Sequence, residues 1–246
     1  MRLTVAGCSG TFPGPDSACS GYLLETDGFR LLLDAGNGAT GELQRTCGVL
    51  ELDAVLVSHL HGDHYLDLIP LTYALRYHPA GRRSRLPVYG PPGTAQHLAA
   101  ALGRPAPLEE VYDIRELGPA DLDIGPFRIR PVHANHPVET FAVRITADGR
   151  SVAYSADSGV SEDLVELAGG ADLFLCEASY RDGDANPPGI HLTGAEAGQH
   201  AARAGVGRLV LTHLMPWGDA QGTLAAAQSG YDGEISLAAT GATFDI

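Results

Sequence analysis

The stretch Val55-Leu56-Val57-Ser58-His59-Leu60-His61-Gly62-Asp63-His64 constrains this chain more than any other. An apolar run of strand type ends, and three imidazoles and a carboxylate follow within six residues. Titratable groups packed that densely are costly to desolvate unless a cation lies among them. At a strand end, residues i and i+2 point the same way, so His59 and His61 can reach one ion while Leu60 turns aside. Gly62 permits a sharp bend, and Asp63 and His64 then approach from another backbone direction, which suits a second ion. Neutral imidazole and carboxylate are natural zinc ligands. A polar helix start with incidental histidines would explain a lone His-x-His, but not all four groups together.

Two ions need further ligands, and the sequence offers them where other apolar runs end. Pro131-Val132-His133-Ala134-Asn135-His136-Pro137 supplies His133 and His136; Asp157 follows Ala153-Tyr154-Ser155, and His213 follows Leu209-Val210-Leu211-Thr212. Taken singly, each is as well explained as a satisfied polar group or cap. Taken with the first motif, they form a pattern that capping does not predict.

The remaining chain fits one α/β domain over residues 1–246. Hydrophobic residues make up 44% and charged residues 19%, enough for a large core and against disorder. A formal net charge of −14 disfavours non-specific nucleic-acid or anionic-membrane binding. The N-terminal segment is strand-like rather than signal-like, and no apolar run has the length of a membrane span. Cys8, Cys19, Cys47 and Cys176 form no C-x-x-C pair. They are expected to be reduced, mostly buried thiols in a cytoplasmic protein.

Strands are expected at Leu3–Cys8, Gly21–Thr26, Phe29–Ala35, Leu52–Ser58, Leu86–Tyr89, Phe127–His133, Thr140–Thr146, Ser151–Ser155, Asp172–Glu177, Arg208–Thr212 and Ile235–Ala239. Asp27-Gly28 and Asp148-Gly149 mark hairpin turns. Helices are expected at Gly38–Cys47, Tyr65–Tyr77, Thr94–Leu102, Glu162–Ala168, Gly194–Ala204 and Thr223–Gln228. Thr193-x-x-Glu196 reads as a capping box. The apolar circumference of Tyr65–Tyr77 predicts a buried helix, partly covered by a second subunit of a homodimer. Strands at both ends with helices between them suggest two sheets sandwiched by helices.

These motifs resemble the metallo-β-lactamase fold superfamily, specifically its RNase Z-like branch, over essentially the whole chain. His59-Leu60-His61-Gly62-Asp63-His64 matches the branch's H-x-H-x-D-H, and His136 through Ile145 resembles its third-ligand stretch, which selects His136 over His133. The resemblance implies a four-layer αββα sandwich and two zinc ions, with manganese or iron as alternatives. One ion would take His59, His61, His136 and Asp157; the other would take Asp63, His64, Asp157 and His213. His133 would then support the ligands or lie at the surface.

Cys176-Glu177-Ala178-Ser179 resembles the branch's H-E-A-T motif with Cys176 in place of histidine, and His191-Leu192-Thr193 resembles its H-x-T. The resemblance makes Glu177 the residue that orients His191, and a protonated His191 could aid an alkoxide leaving group. Asp63 could accept a proton from the nucleophile. Two zincs, less Asp63, Asp157 and a hydroxide, leave roughly one positive charge to meet an anionic substrate. The expected activity is hydrolysis of a phosphodiester by metal-activated hydroxide.

Thioester and lactone hydrolases of the fold carry T-P-G-H-T, where this chain has Asn135-His136-Pro137. Bacterial tRNA-processing members carry a Gly/Pro-rich arm, usually between the third histidine and the bridging aspartate, and this chain has only strand, turn and strand there. The closest resemblance is to compact actinobacterial relatives of cyclic-nucleotide phosphodiesterases, carried by Gly7-Cys8-Ser9-Gly10, Tyr77-His78-Pro79 and Thr212-His213-Leu214-Met215-Pro216-Trp217. Cyclic AMP is the leading small-molecule substrate, and an armless tRNA 3′-processing nuclease is the first alternative. A non-catalytic metal-bound sensor or interaction module is a third reading, against which the near-complete ligand set and the Glu177/His191 pair speak. Trp217 could stack on a base or pack internally. Arg82, Arg83 and Arg85 could meet a phosphate or line a solvated loop. Ser9 and Ser17 could floor the cleft or serve turn chemistry.

Overall fold

A computed structural model describes residues 1–81, 84–103 and 108–246. Leu31-Leu32-Leu33 shows how the layers arise. Successive strand residues point to opposite faces: Leu31 and Leu33 join a core between two sheets, whereas Leu32 joins a second core under helices. A third apolar layer lies beyond the other sheet. Three buried layers between two sheets and two sets of helices make the αββα sandwich expected from the sequence.

Across the first sheet the strands run Thr243–Asp245, Arg2–Ser9, Gly21–Thr26, Phe29–Leu33, Ala54–Leu56, Leu86–Gly90 and Tyr112–Glu116, with Ala18–Cys19 beside Arg2–Ser9. The second runs Glu234–Leu237, Arg208–Thr212, Leu173–Glu177, Arg150–Tyr154, Phe141–Ala147, Phe127–His133 and Leu122–Ile124. In each sheet, consecutive parallel strands deliver their C-terminal ends to one edge, and loops leaving that edge carry the site. Helix Gly194–Ala204 begins with the expected capping box: Thr193 Oγ1 accepts the Glu196 N–H, and the Glu196 carboxylate accepts the Thr193 N–H.

The expected helix Tyr65–Tyr77 is interrupted. Gly62–Tyr65 forms one short helix and Leu68–Tyr77 another. Pro70 has no N–H to offer Leu66, so it fits only the first turn of a new helix. Asp67 opens that helix while its carboxylate accepts the Thr40 N–H at 2.7 Å. The second helix is also not buried all round: Tyr73 and Tyr77 lie exposed, with rings stacked 6.2 Å apart. The edge strand Tyr112–Glu116 escaped sequence reading because its charged residues break the apolar pattern. All four cysteines are buried and free. Among the described residues, no helix is long and apolar enough to cross a membrane.

Candidate metal centre

Three strands near the site end with a non-glycine residue turned left-handed: Asp34 (φ 57°), Ala156 (φ 51°) and His213 (φ 54°). Such backbone costs about 1 kcal/mol or more. Each turn redirects the chain at the common edge, and Asp157 and His213 are aimed inward by it. The segment after Ala54–Leu56 contributes His59, His61, Asp63 and His64, while the second sheet's loops contribute His136, Asp157 and His213.

The seven side chains converge in two groups. In the first, His59 Nε2 lies 3.1 Å from His61 Nδ1, His136 Nε2 lies 3.2 Å from His61 Nδ1, and Asp157 Oδ2 lies 3.5 Å from His59 Nε2. In the second, His64 Nε2 lies 3.2 Å from His213 Nε2, and Asp63 Oδ2 lies 3.1 Å from His213 Nε2. Asp157 Oδ1 faces that second group, 3.2 Å from His64 Nε2 and 3.4 Å from His213 Nε2. Asp157 thus presents one oxygen to each group.

Hydrogen bonds behind the rings decide which nitrogens bear lone pairs. His64 Nδ1–H donates to Asp34 Oδ2 at 2.8 Å, and His136 Nδ1–H donates to the Ile190 carbonyl at 2.9 Å. His59 Nδ1–H donates to Ser58 Oγ, which itself donates to Asp34. His213 Nδ1–H donates to Ser179 Oγ at 2.6 Å, and that hydroxyl donates to the His213 carbonyl. The Nε2 atoms of all four rings are therefore acceptors pointing at other acceptors. Short contacts of that kind repel unless a cation fills the space between them. Asp157 Oδ1, fully buried, has no hydrogen-bond partner, an expensive state for a carboxylate. Tetrahedral bonds of about 2.0–2.2 Å place ligand atoms about 3.3–3.6 Å apart, close to the separations here. The donor set fits two divalent ions sharing Asp157.

For the first group the electrostatics agree. Burial and the neighbouring imidazoles push the pKa of His59 well down, and burial lowers those of His61 and His136, so these rings stay neutral and able to ligate. Burial opposes charge on Asp157, but positive charge on the surrounding imidazoles, His213 and His64 first, outweighs it and holds its carboxyl well below the usual range. Burial likewise opposes charge on His64, yet Asp157 and Asp34 raise its pKa well above the usual value, so the second group demands positive charge beside Asp157, from a proton or from an ion.

Beside this cluster, Glu177 is fully buried and His191 partly exposed. The Glu177 carboxylate accepts N–H groups from Ser158, Ser179 and Leu192 and the His191 Nδ1–H, the last at 2.8 Å. Its oxygens are thereby occupied, so it orients His191 rather than serving an ion. The His191 ring lies 5.5 Å from that of His136 and 5.4 Å from that of His213, beside both groups. Burial lowers its pKa, but Glu177 more than offsets this and raises it. Strand alternation turns Cys176 the opposite way, into the apolar layer under the helices. The cysteine that replaces the motif's histidine is therefore remote from the chemistry.

Several other candidates are displaced. His133 is exposed and packs on Phe141. Ser9 and Ser17 bond each other's loop backbone: Ser9 Oγ donates to the Ser17 carbonyl, and Ser17 Oγ accepts the Cys8 N–H. Trp217 is 67% exposed, not internal. Arg82 and Arg83 lie outside the described residues; Arg85 donates to the Glu109 carbonyl. Asp34 was missed. It accepts Ser58 N–H, Ser58 Oγ–H, His64 Nδ1–H and Tyr154 O–H, all at 2.7–2.8 Å. Its sequence signal is an aspartate ending the apolar strand Phe29–Leu33, the same signal that singled out Asp157.

The β-lactamase superfamily domain matches residues 29–214. An uncharacterized protein of Mycobacterium leprae is 42% identical over 100% of this chain and 89% of its own length. The probable metallo-hydrolase YhfI of Bacillus subtilis is 34% identical over 98% of both chains. The crystal structure of the YhfI protein superposes with a TM-score of 0.90 over 99% of each chain, at 31% identity. A ribonuclease Z of Mycobacterium bovis is 31% identical over 88% of this chain and 86% of its own length. With fold, His/Asp cluster and these relatives in agreement, the chain belongs to the metallo-β-lactamase superfamily, as a metallo-hydrolase with relatives in the RNase Z-like branch.

Proposed function

We propose that this protein is a dinuclear zinc phosphodiesterase acting on a small phosphodiester, with cyclic AMP as the leading candidate. The observation that carries the reading is the His191–Glu177 pair set against two ligand groups that share Asp157. Two divalent ions, when bound, supply Lewis acidity and a water activated near neutral pH. The chain's own residues supply the rest. His191 keeps Nδ1–H on Glu177 and turns its other nitrogen toward the cleft. Protonated, it donates to the departing alkoxide oxygen, which leaves poorly as an anion. Asp63, whose Oδ2 accepts the Thr11 N–H at 2.7 Å, is held beside His64 and His213 and can take the proton from the nucleophile.

Two features favour a small substrate over tRNA. The interval between His136 and Asp157 holds only the hairpin Phe141–Ala147 and Arg150–Tyr154, and the net charge is −14. A ribonuclease Z among the relatives keeps RNA cleavage as the second reading. Side-by-side assays of the zinc-loaded protein on cyclic AMP, an aryl phosphodiester and precursor tRNA separate the two. Hydrolysis of the small diesters with tRNA spared is expected; the reverse preference overturns the proposal.

A further inference from the structure

Two large aromatic rings stand exposed on loops that carry or hold candidate ligands of the second group. Phe12 is 39% and Trp217 is 67% exposed, yet their rings stack, with centroids 4.7 Å apart and planes inclined by 26°. Each ring is tied to a ligand of the second group. Phe12 follows Thr11, whose N–H holds Asp63 Oδ2; Trp217 lies four residues beyond His213.

The two loops also hold one another. Gly10 N–H donates to the Leu214 carbonyl at 3.0 Å, and Thr11 Oγ1 donates to Met215 Sδ. Gly10 has no room for a side chain, since a Cβ there would lie 2.7 Å from the His213 carbonyl oxygen. The aromatic pair is thus fixed to the ligands rather than carried on a free tip. With Phe12 covering one side of the indole, an exposure of 67% leaves the other side open. Trp217 also borders a cavity of about 640 Å³, which Tyr180 and Ser179 line from the side of the metal centre. Tyr180 packs edge-on against His191 at 5.1 Å, and Ser179 holds His213. Asp182, Asp184 and Asp219 line the same cavity, against one cation among the described residues, Arg181. These carboxylates repel a polyanion and accept hydrogen bonds from hydroxyl or amino groups.

We propose that Phe12 and Trp217 form a stacking platform that selects phosphodiesters bearing a planar aromatic group, a nucleobase above all, over aliphatic diesters. The proposal rests on the phosphodiesterase reading and adds a specificity determinant to it. A single phosphodiester would sit at the metal centre while its base lies on the indole.

Trp217 is the only tryptophan in the chain, so intrinsic fluorescence reports the platform directly. Adding AMP to the zinc-loaded protein should quench that emission saturably, whereas ribose 5-phosphate should not. Kinetically, Trp217→Ala should cost about five- to 150-fold in kcat/KM on a nucleoside or aryl phosphodiester. The loss should fall mainly in KM, with an aliphatic diester nearly unaffected and metal content unchanged. Trp217→Phe should restore most of the loss. Equal quenching by ribose 5-phosphate, or an equal loss on aromatic and aliphatic diesters, overturns the platform. Failure of the wild-type protein to hydrolyse any phosphodiester overturns the underlying reading instead.

Discussion

Replacing Asp34 by Asn tests how the metal centre is held. The carboxylate accepts four hydrogen bonds and has no exposure to solvent. Asparagine preserves its volume and tolerates the left-handed backbone at φ 57°, so neither a cavity nor new strain confuses the outcome. Its amide, however, puts a donor where the carboxylate had an acceptor. Oδ1 takes the Ser58 N–H, whereas Oδ2 takes Ser58 Oγ–H, His64 Nδ1–H and Tyr154 O–H. Whichever way the amide turns, at least one buried donor faces another donor. One unsatisfied buried group costs about 1–3 kcal/mol, and the lost charge weakens the remaining bonds. A loss of about 2–3 kcal/mol corresponds to about 4–12 °C in melting temperature for a domain of this size. His64 also loses the partner that fixes its tautomer, which should weaken metal binding about 10–100-fold. Chelator competition and thermal unfolding, each with and without zinc, measure both effects. Wild-type affinity together with a wild-type melting temperature would refute the role assigned to Asp34.

Other perturbations separate holding from chemistry. Metal analysis should find about two ions per chain, and one or none would sink the dinuclear arrangement. His191→Ala should keep those ions but lose about 10²–10⁴-fold in turnover; unchanged turnover removes the proton-donor assignment. The acid form of His191 exists below its raised pKa, so turnover should fall as pH rises through that value. Glu177→Gln removes the group that raises it and should move this alkaline limb to lower pH; a limb that stays in place argues against the pair. At Gly36 an added Cβ would run into the Asp63 carbonyl oxygen. Gly36→Ala should therefore release metal more readily, as chelator-resistant zinc will show.

The candidate ligand set was legible in the sequence because its members follow apolar strands, where alternation fixes which side chains share a direction. His59 and His61 are the plain case. The choice between His133 and His136 was not open to that reasoning, since one ends the strand Phe127–His133 and the other follows it by three residues. The structure separates them through the Ile190 carbonyl, which lies 54 residues from His136 in sequence. Asp34 carried the same strand-end signal as Asp157, but its partners Ser58, His64 and Tyr154 are dispersed along the chain and gave that signal no support. The break at Pro70 was readable and was outweighed by an apolar pattern around the helix. Trp217 shows the opposite failure, since nothing in its neighbours announces that it will stand in solvent beside Phe12.

Ligands from both sheets meet at one edge of the sandwich. His59, His61, Asp63 and His64 follow a first-sheet strand, while His136, Asp157 and His213 follow strands of the second. Neither half of the chain supplies a full candidate ligand group alone, so metal bound there would act as a clasp across the core. A fragment ending before Phe127 and its complement should each bind zinc weakly, then tightly once mixed. The residence time of a bound ion would then be a clock for the opening of that edge.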